Sequence, residues 1–346
     1  MRSNILEKHF FSEAALDRRI SRPSEQLVEL VSGLNGDFAI LGIAGKMGVN
    51  LGAMLVQALK KGGVRKTVYG ISRFSDPAMI KAVESWGVKP IKCDLFDFES
   101  VEKLPDANNV IFMAGRKFGT DTDPELTWAL NTIVPSNICR RYSESRIVAF
   151  STGCVYGFTR PGFESKESDT PAPVGDYAQS ALGRERIFAH YAKTAGTKVS
   201  LIRLNYANDL RYGVIRDLIE KINKGETVDL ENGYVNLIWQ GDAIRYSLLA
   251  FNIVSSPASI LNVTGPETVS VRCLAEKLGQ LLGKKPVFAG TEATAAYLSN
   301  AGKSFSMFGY PEVPVETIIE WSAKWAMSGG RSLNKPTHFQ TRNGSF

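Results

Sequence analysis

The sequence has little of the two residue types on which disulfide frameworks and metal sites are built. Its 346 residues include four cysteines and three histidines. They are Cys93, Cys139, Cys154 and Cys273, and His9, His190 and His338. Because no C-x-x-C pair and no H-E-x-x-H motif occurs, a zinc site is not expected, and reduced, mostly buried thiols fit better than disulfides.

Long apolar segments are also absent. No run reaches the roughly 18 apolar residues of a membrane-spanning helix, and charged residues, among them Arg2, Glu7 and Lys8, stand where a secretory signal would be apolar. Glycine (31) and proline (15) occur at close to average frequency, which argues against a fibrous or largely disordered chain. We therefore expect a soluble cytoplasmic protein of roughly two domains, with no membrane partner.

The net charge of +6 is the compositional bias that bears on partners. Lysine and arginine are interspersed with acidic residues, and the densest basic segments, 60–66 and 140–141, fall at predicted helix ends, where cations favour the helix dipole. No basic helix and no alternation of basic and aromatic residues occurs, so nucleic acid is not an expected partner. The charge instead favours an anionic small molecule.

Short apolar segments alternate with amphipathic helical ones from residue 37 to residue 204. The predicted strands cover residues 37–43, 67–71, 88–93, 109–113, 146–150 and 198–204. The helix predicted over residues 122–142 begins with a capping-box pattern, Thr122 followed by Glu125. Strands and helices alternating at this spacing predict βαβ units, and hence an α/β fold with a Rossmann-type, doubly wound parallel sheet.

The rhythm becomes irregular after Asn205, where helical segments are separated by short strand-like ones. This favours a smaller C-terminal lobe for substrate, while a capped helical segment at 24–31 predicts an N-terminal helical extension. The expected division is an extension at 1–36, a dinucleotide-binding domain at 37–205 with about 240–264, a substrate lobe at 206–239 and 265–328, and an arm at 329–346.

A glycine-rich turn follows the first predicted strand. Gly42, Gly45 and Gly48 form a G-x-x-G-x-x-G pattern that opens the first helix of the sheet, with Lys46 and Met47 between the last two glycines. Glycine permits the tight turn, lets the backbone approach a pyrophosphate and packs helix on strand, while the helix N-terminus offers N–H groups to the anion. These five residues are therefore candidates for binding a dinucleotide cofactor.

These glycines and the segments after them resemble the extended short-chain dehydrogenase/reductases, the NAD-dependent epimerase/dehydratase family, over roughly residues 37 to 325. The matching segments are Cys93-Asp94-Leu95, Met113-Ala114-Gly115, Asn131, Ser151-Thr152-Gly153-Cys154-Val155-Tyr156-Gly157, Arg203-Leu204-Asn205-Tyr206 and Asn262-Val263-Thr264-Gly265. As a set they are highly specific for the fold and much less so for the substrate.

The resemblance implies roles for single residues. It implies cofactor contacts for Asp94, Leu95, Ala114, Gly115, Asn131 and Leu204. In the family the Asp of the segment that matches Cys93-Asp94-Leu95 contacts the adenine, the small residues pass under the cofactor, and the asparagine is structural. Thr152, four residues before Tyr156, takes the place of the catalytic serine or threonine.

The end of the second strand bears on the choice of cofactor. Members that prefer NAD usually carry an acidic residue there for the ribose 2′-hydroxyl, whereas this chain has Ser72 and Arg73 and no carboxylate before Asp76. Arg73 is suited to a 2′-phosphate with Ser72 as a second donor, which favours NADP over NAD. The alternative is that Arg73 stacks on the adenine or is solvated.

The active-site helix departs from the family pattern. The family motif is Y-x-x-x-K; here Tyr177, Ser180 and Glu185 match, and Ala181 stands in the lysine position. In the family that lysine lowers the tyrosine pKa and holds the ribose hydroxyls. An unassisted tyrosine has a pKa of about 10, so base catalysis is weakened more than acid catalysis. Arg184 lies on the same helix face and is a candidate source of positive charge; a lysine replaced in the laboratory would leave the same pattern.

The substrate side is less specified. Asn205, Arg211 and Trp239 fall where the family's second lobe lines the pocket. Arg211 is suited to binding a carboxylate or phosphate, with a solvated surface position as the alternative. Trp239 fits a core position better than a platform for a sugar. The tail is expected to be a surface arm; the alternative is that it brings His338 to the pocket.

The resulting prediction is a nicotinamide-dependent oxidoreductase or epimerase/dehydratase that acts on a sugar, sugar acid or related polyhydroxy compound, with Thr152 and Tyr177 at the reacting oxygen. The alternative is a dinucleotide-binding sensor or scaffold without turnover, because the catalytic lysine is missing. The expected partner is a small molecule of anionic character, and a homodimer is left open.

Overall fold

A seven-stranded parallel sheet forms the centre of the computed structural model, which describes residues 12–344. The strands are β1 (Phe38–Leu41), β2 (Val68–Ser72), β3 (Lys89–Lys92), β4 (Asn109–Phe112), β5 (Arg146–Thr152), β6 (Lys198–Leu204), β7 (Ala207–Asn208), β8 (Thr227–Asp229), β9 (Tyr234–Asn236), β10 (Ile238–Trp239), β11 (Ser259–Val263), β12 (Thr268–Ser270) and β13 (Val287–Ala289). The sheet order β11-β6-β5-β4-β1-β2-β3 confirms the predicted doubly wound α/β class. His9 and the rest of residues 1–11, in the predicted extension, and residues 345–346, in the predicted arm, lie outside the described residues.

Helices cover both faces of the sheet. They are α1 (Glu13–Ile20), α2 (Glu25–Gly33), α3 (Gly48–Lys61), α4 (Ala78–Ser85), α5 (Phe98–Glu102), α6 (Pro124–Arg141), α7 (Gly175–Ala195), α8 (Val214–Lys224), α9 (Gln240–Leu249), α10 (Val271–Leu282), α11 (Gly302–Phe308) and α12 (Val315–Met327). One face packs against α3 and α9 and the other against α6 and α7. Because both faces are covered, every residue of β1 and β4 is buried, as expected of parallel strands.

The N-terminal helices are built into the core. Leu16 and Ile20 of α1, and Leu27 and Val31 of α2, are fully buried against the α3 and α9 layer. The predicted extension therefore thickens one face of the sheet within the described residues.

The C-terminal segments that follow β7 are organised around α8, whose apolar face packs with α10 and α12. Short strand pairs accompany these helices: β9 with β12, β8 with β13 and β7 with β10. From residue 329 the chain returns toward the carboxyl ends of the sheet strands, and Thr337 and Phe339 are buried there. The tail therefore reaches the edge of the sheet where the functional groups lie.

The start of α6 corrects one local prediction. Asp123, not Thr122, is the N-cap: its carboxylate accepts a hydrogen bond from the Leu126 N–H at 3.0 Å, and Pro124 occupies the first turn. The Thr122 hydroxyl instead donates to the Gly119 carbonyl. Within residues 12–344, no helix has the combination of length and apolar character needed to cross a membrane.

Candidate active site

The glycine turn between β1 and α3 is held against the neighbouring strand. Gly42 has φ +89°, and a Cβ there would lie 2.8 Å from the Ala114 nitrogen. A Cβ on Gly48 would lie 2.2 Å from the Ile43 carbonyl oxygen. Both positions therefore require glycine, Gly42 for its backbone conformation and both for close approach.

The N-terminus of α3 opens beside this turn. Its N-cap residue, Met47, makes no side-chain capping hydrogen bond. The first N–H groups of a helix have no partner within the helix, and they carry the positive end of its dipole. The turn and the helix end thus form a cradle suited to a pyrophosphate.

Two cavities, each of about 300 Å³, meet at this cradle and share Gly42, Gly45 and Met113 as lining residues. We call the one beside β2 the β2 cavity and the one beside Tyr177 the tyrosine cavity. The β2 cavity is lined by Gly42, Ala44, Gly45, Ser72, Arg73, Ser75, Cys93, Asp94, Leu95, Met113, Ala114, Gly115, Leu130 and Val134. The tyrosine cavity is lined by Gly42, Gly45, Lys46, Met47, Met113, Lys117, Phe118, Phe150, Ser151, Thr152, Cys154, Tyr177, Leu204, Asn205, Tyr206, Ala207, Tyr212, Val214, Gln240 and Thr337.

The β2 cavity brings together eight of the residues predicted to bind a cofactor. They are Gly42, Gly45, Ser72, Arg73, Asp94, Leu95, Ala114 and Gly115. Arg73 is exposed at the end of β2, and the carboxylate of Asp94 accepts a hydrogen bond from the Phe96 N–H at 3.0 Å. Lys46, Met47 and Leu204 line the tyrosine cavity instead.

Thr152 and Tyr177 meet in the tyrosine cavity. Thr152 ends β5, Tyr177 lies in the first turn of α7, and both side chains line the cavity. Burial raises the pKa of Tyr177 to about 12, whereas the positive charge of Arg184 and the Thr152 hydroxyl act in the opposite direction. Tyr177 is therefore protonated at neutral pH and is a proton donor in its resting form.

Two further residues of the α7 motif hold the scaffold. The Ser180 hydroxyl accepts a hydrogen bond from the Asn131 amide at 2.9 Å. Glu185 binds Arg203 through both oxygens, at 3.0 and 2.7 Å, and accepts a hydrogen bond from Ser151. These contacts fix α7 against α6, β5 and β6, and so they fix the position of Tyr177.

Two lysines, Lys46 and Lys117, line the tyrosine cavity. The Lys46 ammonium lies 3.6 Å from the Tyr212 ring centre and 4.4 Å from that of Phe118. Burial, followed by the charges of Lys117 and Lys335, lowers the pKa of Lys46 to about 7. The Lys117 ammonium donates to the Thr337 carbonyl at 3.2 Å and lies 5.8 Å from the Tyr177 ring centre. Among residues 12–344, no aspartate or glutamate lines this cavity.

The structure corrects three predicted site residues. Asn131 lines neither cavity, because its side chain is buried and bonded to Arg116, Ser180 and Arg184. Arg211 is committed to ion pairs with Asp209 and Asp17, each within 3 Å. Trp239 is a core residue, with its ring 5.6 Å from that of Trp321.

Asn205 does line the tyrosine cavity, and its amide donates to the Tyr297 carbonyl at 3.1 Å. The tail reaches the same cavity through Thr337, while the ring of His338 lies 6.1 Å from that of Phe118. Four residues that line this cavity were not predicted from the sequence: Lys117, Phe118, Tyr212 and Thr337. The position of Lys117, two residues after the small-residue segment 113–115, is a signal that could have identified it. No local sequence pattern marks Thr337 as a site residue.

Comparisons with known proteins point in one direction. The model of the NAD dependent epimerase/dehydratase family matches residues 39–254. The UDP-glucose 4-epimerase of Thermus thermophilus, solved with NAD, is 22% identical over 83% of this chain and 98% of its own, with a TM-score of 0.69. The UDP-glucose 4-epimerase of Thermotoga maritima, solved with UDP-glucose, is 18% identical over 85% and 99%, with a TM-score of 0.71.

A dehydratase gives a similar result. The dTDP-glucose 4,6-dehydratase DesIV of Streptomyces venezuelae, solved with NAD, is 18% identical over 84% of this chain and 97% of its own, with a TM-score of 0.72. No curated protein matches the sequence. At these identities the solved structures show a shared fold, and the family match covers the cradle, the Thr152 and Tyr177 pair and the sheet that positions them.

Proposed function

This chain belongs to the NAD-dependent epimerase/dehydratase family of short-chain dehydrogenase-type enzymes, and we propose that it oxidises, reduces or epimerises a small polyhydroxy anion such as a sugar acid. The observation that carries the proposal is that Thr152 and Tyr177 line one cavity together with Lys46 and Lys117, beside the dinucleotide cradle.

The cradle fits a nicotinamide dinucleotide. A Cβ would close the approach at Gly42, no side chain of the N-cap residue caps the N-terminus of α3, and the β2 cavity leaves room of about 300 Å³ beside Ala114 and Gly115. When bound, such a cofactor supplies a hydride acceptor or donor. Gly42, Gly45 and the first turn of α3 would hold its pyrophosphate.

Tyr177 would exchange the proton of the reacting oxygen. In reduction the protonated phenol, which lines the same cavity as Thr152, gives its proton to the carbonyl oxygen of the substrate. In oxidation the phenolate must take the hydroxyl proton. Because burial raises the pKa of Tyr177, the reductive direction is favoured near neutral pH.

An anionic substrate suits the charges of the cavity. Lys46 and Lys117 face it without a lining carboxylate, and the nearby Asp217 is engaged by the N–H and hydroxyl of Thr337, at 2.8 and 2.6 Å. Elimination of water usually needs a further acid or base at the reacting carbons. Since no aspartate, glutamate or histidine of the described residues lines this cavity, we propose redox chemistry or epimerisation in preference to dehydration.

NADP is the preferred cofactor in this proposal. Arg73 and Ser72 line the β2 cavity at the end of β2, and neither engages a carboxylate among the described residues. We expect Arg73→Ala to weaken NADP binding by about 1.5–3 kcal/mol, the range for a hydrogen bond to a charged group. NAD binding should change little, and the exposed Arg186 on α7 provides a matched Arg→Ala control. Fluorescence titration with NADPH and NADH measures both affinities; an equal loss for both cofactors would mean that Arg73 only stacks on the base.

Turnover is tested with matched pairs of substrates. Sugar acids and their neutral sugars are incubated with each oxidised cofactor, and the reduced nicotinamide absorbance is recorded. Because an epimerase recycles its cofactor, products are also analysed by NMR. We expect activity with acids, and a loss of about 10²–10⁴-fold in Tyr177→Phe with the cofactor affinity unchanged. Cofactor binding without turnover of any pair would favour the non-catalytic sensor, which the family match does not support.

A further inference from the structure

We infer that Gln240 presents a hydrogen-bond acceptor to the tyrosine cavity, and that this oxygen binds a hydroxyl group of the substrate. The inference rests on the proposed function, to which it adds a residue that recognises the hydroxyl pattern of a polyhydroxy substrate. Its carrying observation is a chain of hydrogen-bonded side chains that begins at Asp17 in α1 and ends at Gln240 in the cavity wall.

Gln240 is a buried polar residue at the start of α9. It is 2% exposed, and it lines the tyrosine cavity together with Thr152 and Tyr177. Its side-chain nitrogen donates to the Asn50 side-chain oxygen at 3.2 Å. Within residues 12–344 no donor reaches the side-chain oxygen of Gln240, and this oxygen is not among the polar atoms that the fold seals from solvent without a partner. The oxygen is therefore open to the cavity.

The orientation of both amides is set by Asp17. The Asn50 side-chain nitrogen donates to the Asp17 carboxylate at 3.1 Å and to the Ser21 hydroxyl at 3.4 Å. Because a carboxylate accepts hydrogen bonds, the nitrogen of Asn50 must face Asp17, and its oxygen must face Gln240. Gln240 must then turn its nitrogen toward Asn50, which leaves its oxygen for the cavity.

The Asp17 carboxylate is itself held in place by a cation. Arg211 donates to it at 2.8 Å and also binds both oxygens of Asp209, at 3.1 Å or less from the nearest guanidinium nitrogen. A buried polar network whose members are satisfied favours one arrangement of its groups. The direction of the Gln240 amide is thus fixed from α1, by a carboxylate that does not line the cavity.

An acceptor in this wall favours an alcohol group in the ligand. Lys46 and Lys117 bring ammonium groups, which only donate hydrogen bonds and suit the anionic group of the substrate. The Gln240 oxygen only accepts, so it suits an O–H group and offers nothing to a deoxygenated carbon or a second anionic group. A simple tie between α9 and α3 would hold with the two amides in either direction, so the fixed direction matters to a group in the cavity.

The first measurement needs no ligand. The full chain is labelled with ¹⁵N in its glutamine side-chain amides, and the Gln240 signals are those that are missing in Gln240→Met. We expect these amide protons to exchange slowly with water, and Asp17→Asn to accelerate their exchange by about tenfold or more, because the Asn50 amide can then turn. Glu13→Gln, which removes another α1 carboxylate 3.7 Å from Arg211, is the matched control and should leave the exchange unchanged.

The second measurement is binding without turnover. Calorimetry gives the dissociation constants of D-gluconate, D-glucuronate and their monodeoxy analogues, with the unreactive redox form of NADP bound. We expect one analogue of a bound acid to bind about tenfold more weakly than its parent, because it lacks the hydroxyl that Gln240 accepts. This difference should disappear in Gln240→Met and shrink in Asp17→Asn, while Glu13→Gln should keep it.

An unchanged preference for the hydroxylated parent in Gln240→Met and Asp17→Asn would overturn the inference, and so would the failure of every acid to bind. A loss of NADPH affinity in Gln240→Met with that preference unchanged would assign the oxygen to a ribose hydroxyl of the cofactor, and would also overturn it. Asp17→Asn is nearly isosteric and remote from the cavity, so it keeps the test decisive if Gln240→Met folds poorly. Hydroxyl-selective binding by a protein that converts no acid would contradict the proposed function and leave the role of Gln240 established.

Discussion

At neutral pH Tyr177 is almost entirely protonated, so it is available as an acid but not as a base. Because its pKa is raised to about 12, the ionised fraction of Tyr177 increases about tenfold with each unit that the pH rises toward that value. We expect oxidative kcat/KM to rise continuously between pH 7 and 10, and reductive kcat/KM to vary much less. Ala181→Lys should move the rise toward neutral pH if the cavity wall admits the longer side chain. Initial rates across this range measure both profiles; a flat oxidative profile would place the base elsewhere.

Lys46 gives the same cavity a second pH dependence. Its pKa is lowered to about 7, so it is cationic below pH 7 and becomes neutral as the pH rises through that value. We expect the affinity for an anionic substrate to fall as the pH rises through 7, and Lys46→Met to remove this dependence and raise KM by about tenfold. Lys60→Met, at an exposed position on α3, is the matched control. A neutral sugar that shows the same pH dependence would contradict the role of the lysine.

At the scale of single elements, the sequence predicted helices and strands correctly where the local pattern of apolar residues is enough to determine them. β1 and β4 are buried on both faces, so their short apolar segments identify them without knowledge of neighbours. The start of α6 was predicted wrongly because two candidate caps are adjacent, and Pro124 in the first turn settles the choice in favour of Asp123. Helix α1, capped by Ser12, was not predicted, since only Leu16 and Ile20 mark its buried face.

The glycine turn allows a prediction at the element scale. Gly42→Ala should destabilise the fold and abolish cofactor binding, because Gly42 has φ +89° and the new Cβ would lie 2.8 Å from the Ala114 backbone. Gly63 has a similar φ of +68° with no atom within 4 Å, so Gly63→Ala carries the backbone strain of about 1 kcal/mol alone. Comparing the unfolding temperatures of the two variants separates the cost of backbone strain from the cost of the steric clash with Ala114. Equal losses would mean that close packing on Ala114 is not what requires Gly42.

At the scale of the whole molecule, the candidate site depends on contacts that no local pattern contains. The cradle and the Thr152 and Tyr177 pair lie in motifs, and they were predicted. The predictions for Arg211 and Trp239 were wrong: Arg211 pairs with the nearby Asp209 and with the distant Asp17, and Trp239 packs on the distant Trp321. Thr337 was missed because it reaches the tyrosine cavity through contacts with Lys117 and Asp217, which are far from it in the sequence.

The tail completes the wall of the tyrosine cavity and is held by helix α8 and by two loops. The Thr337 hydroxyl and N–H donate to Asp217 of α8, its carbonyl accepts from Lys117, and Asn232 donates to the Phe339 carbonyl at 2.9 Å. Burial raises the pKa of Asp217 to about 6, so above that pH its carboxylate depends on the Thr337 donors.

Removing one of these donors should therefore loosen the wall without disturbing the cradle. We expect Thr337→Val to raise the substrate KM by up to about tenfold at pH 8, the effect of one lost hydrogen bond to a charged group, with a smaller effect at pH 5, where Asp217 is largely protonated. NADP affinity should be unchanged, because the β2 cavity contains no tail residue. Arg331→Ala, which removes only the exposed ion pair of the tail with Glu13, is the control. If Thr337→Val weakened the cofactor as much as the substrate, the tail would be acting on the fold as a whole and not on the substrate wall.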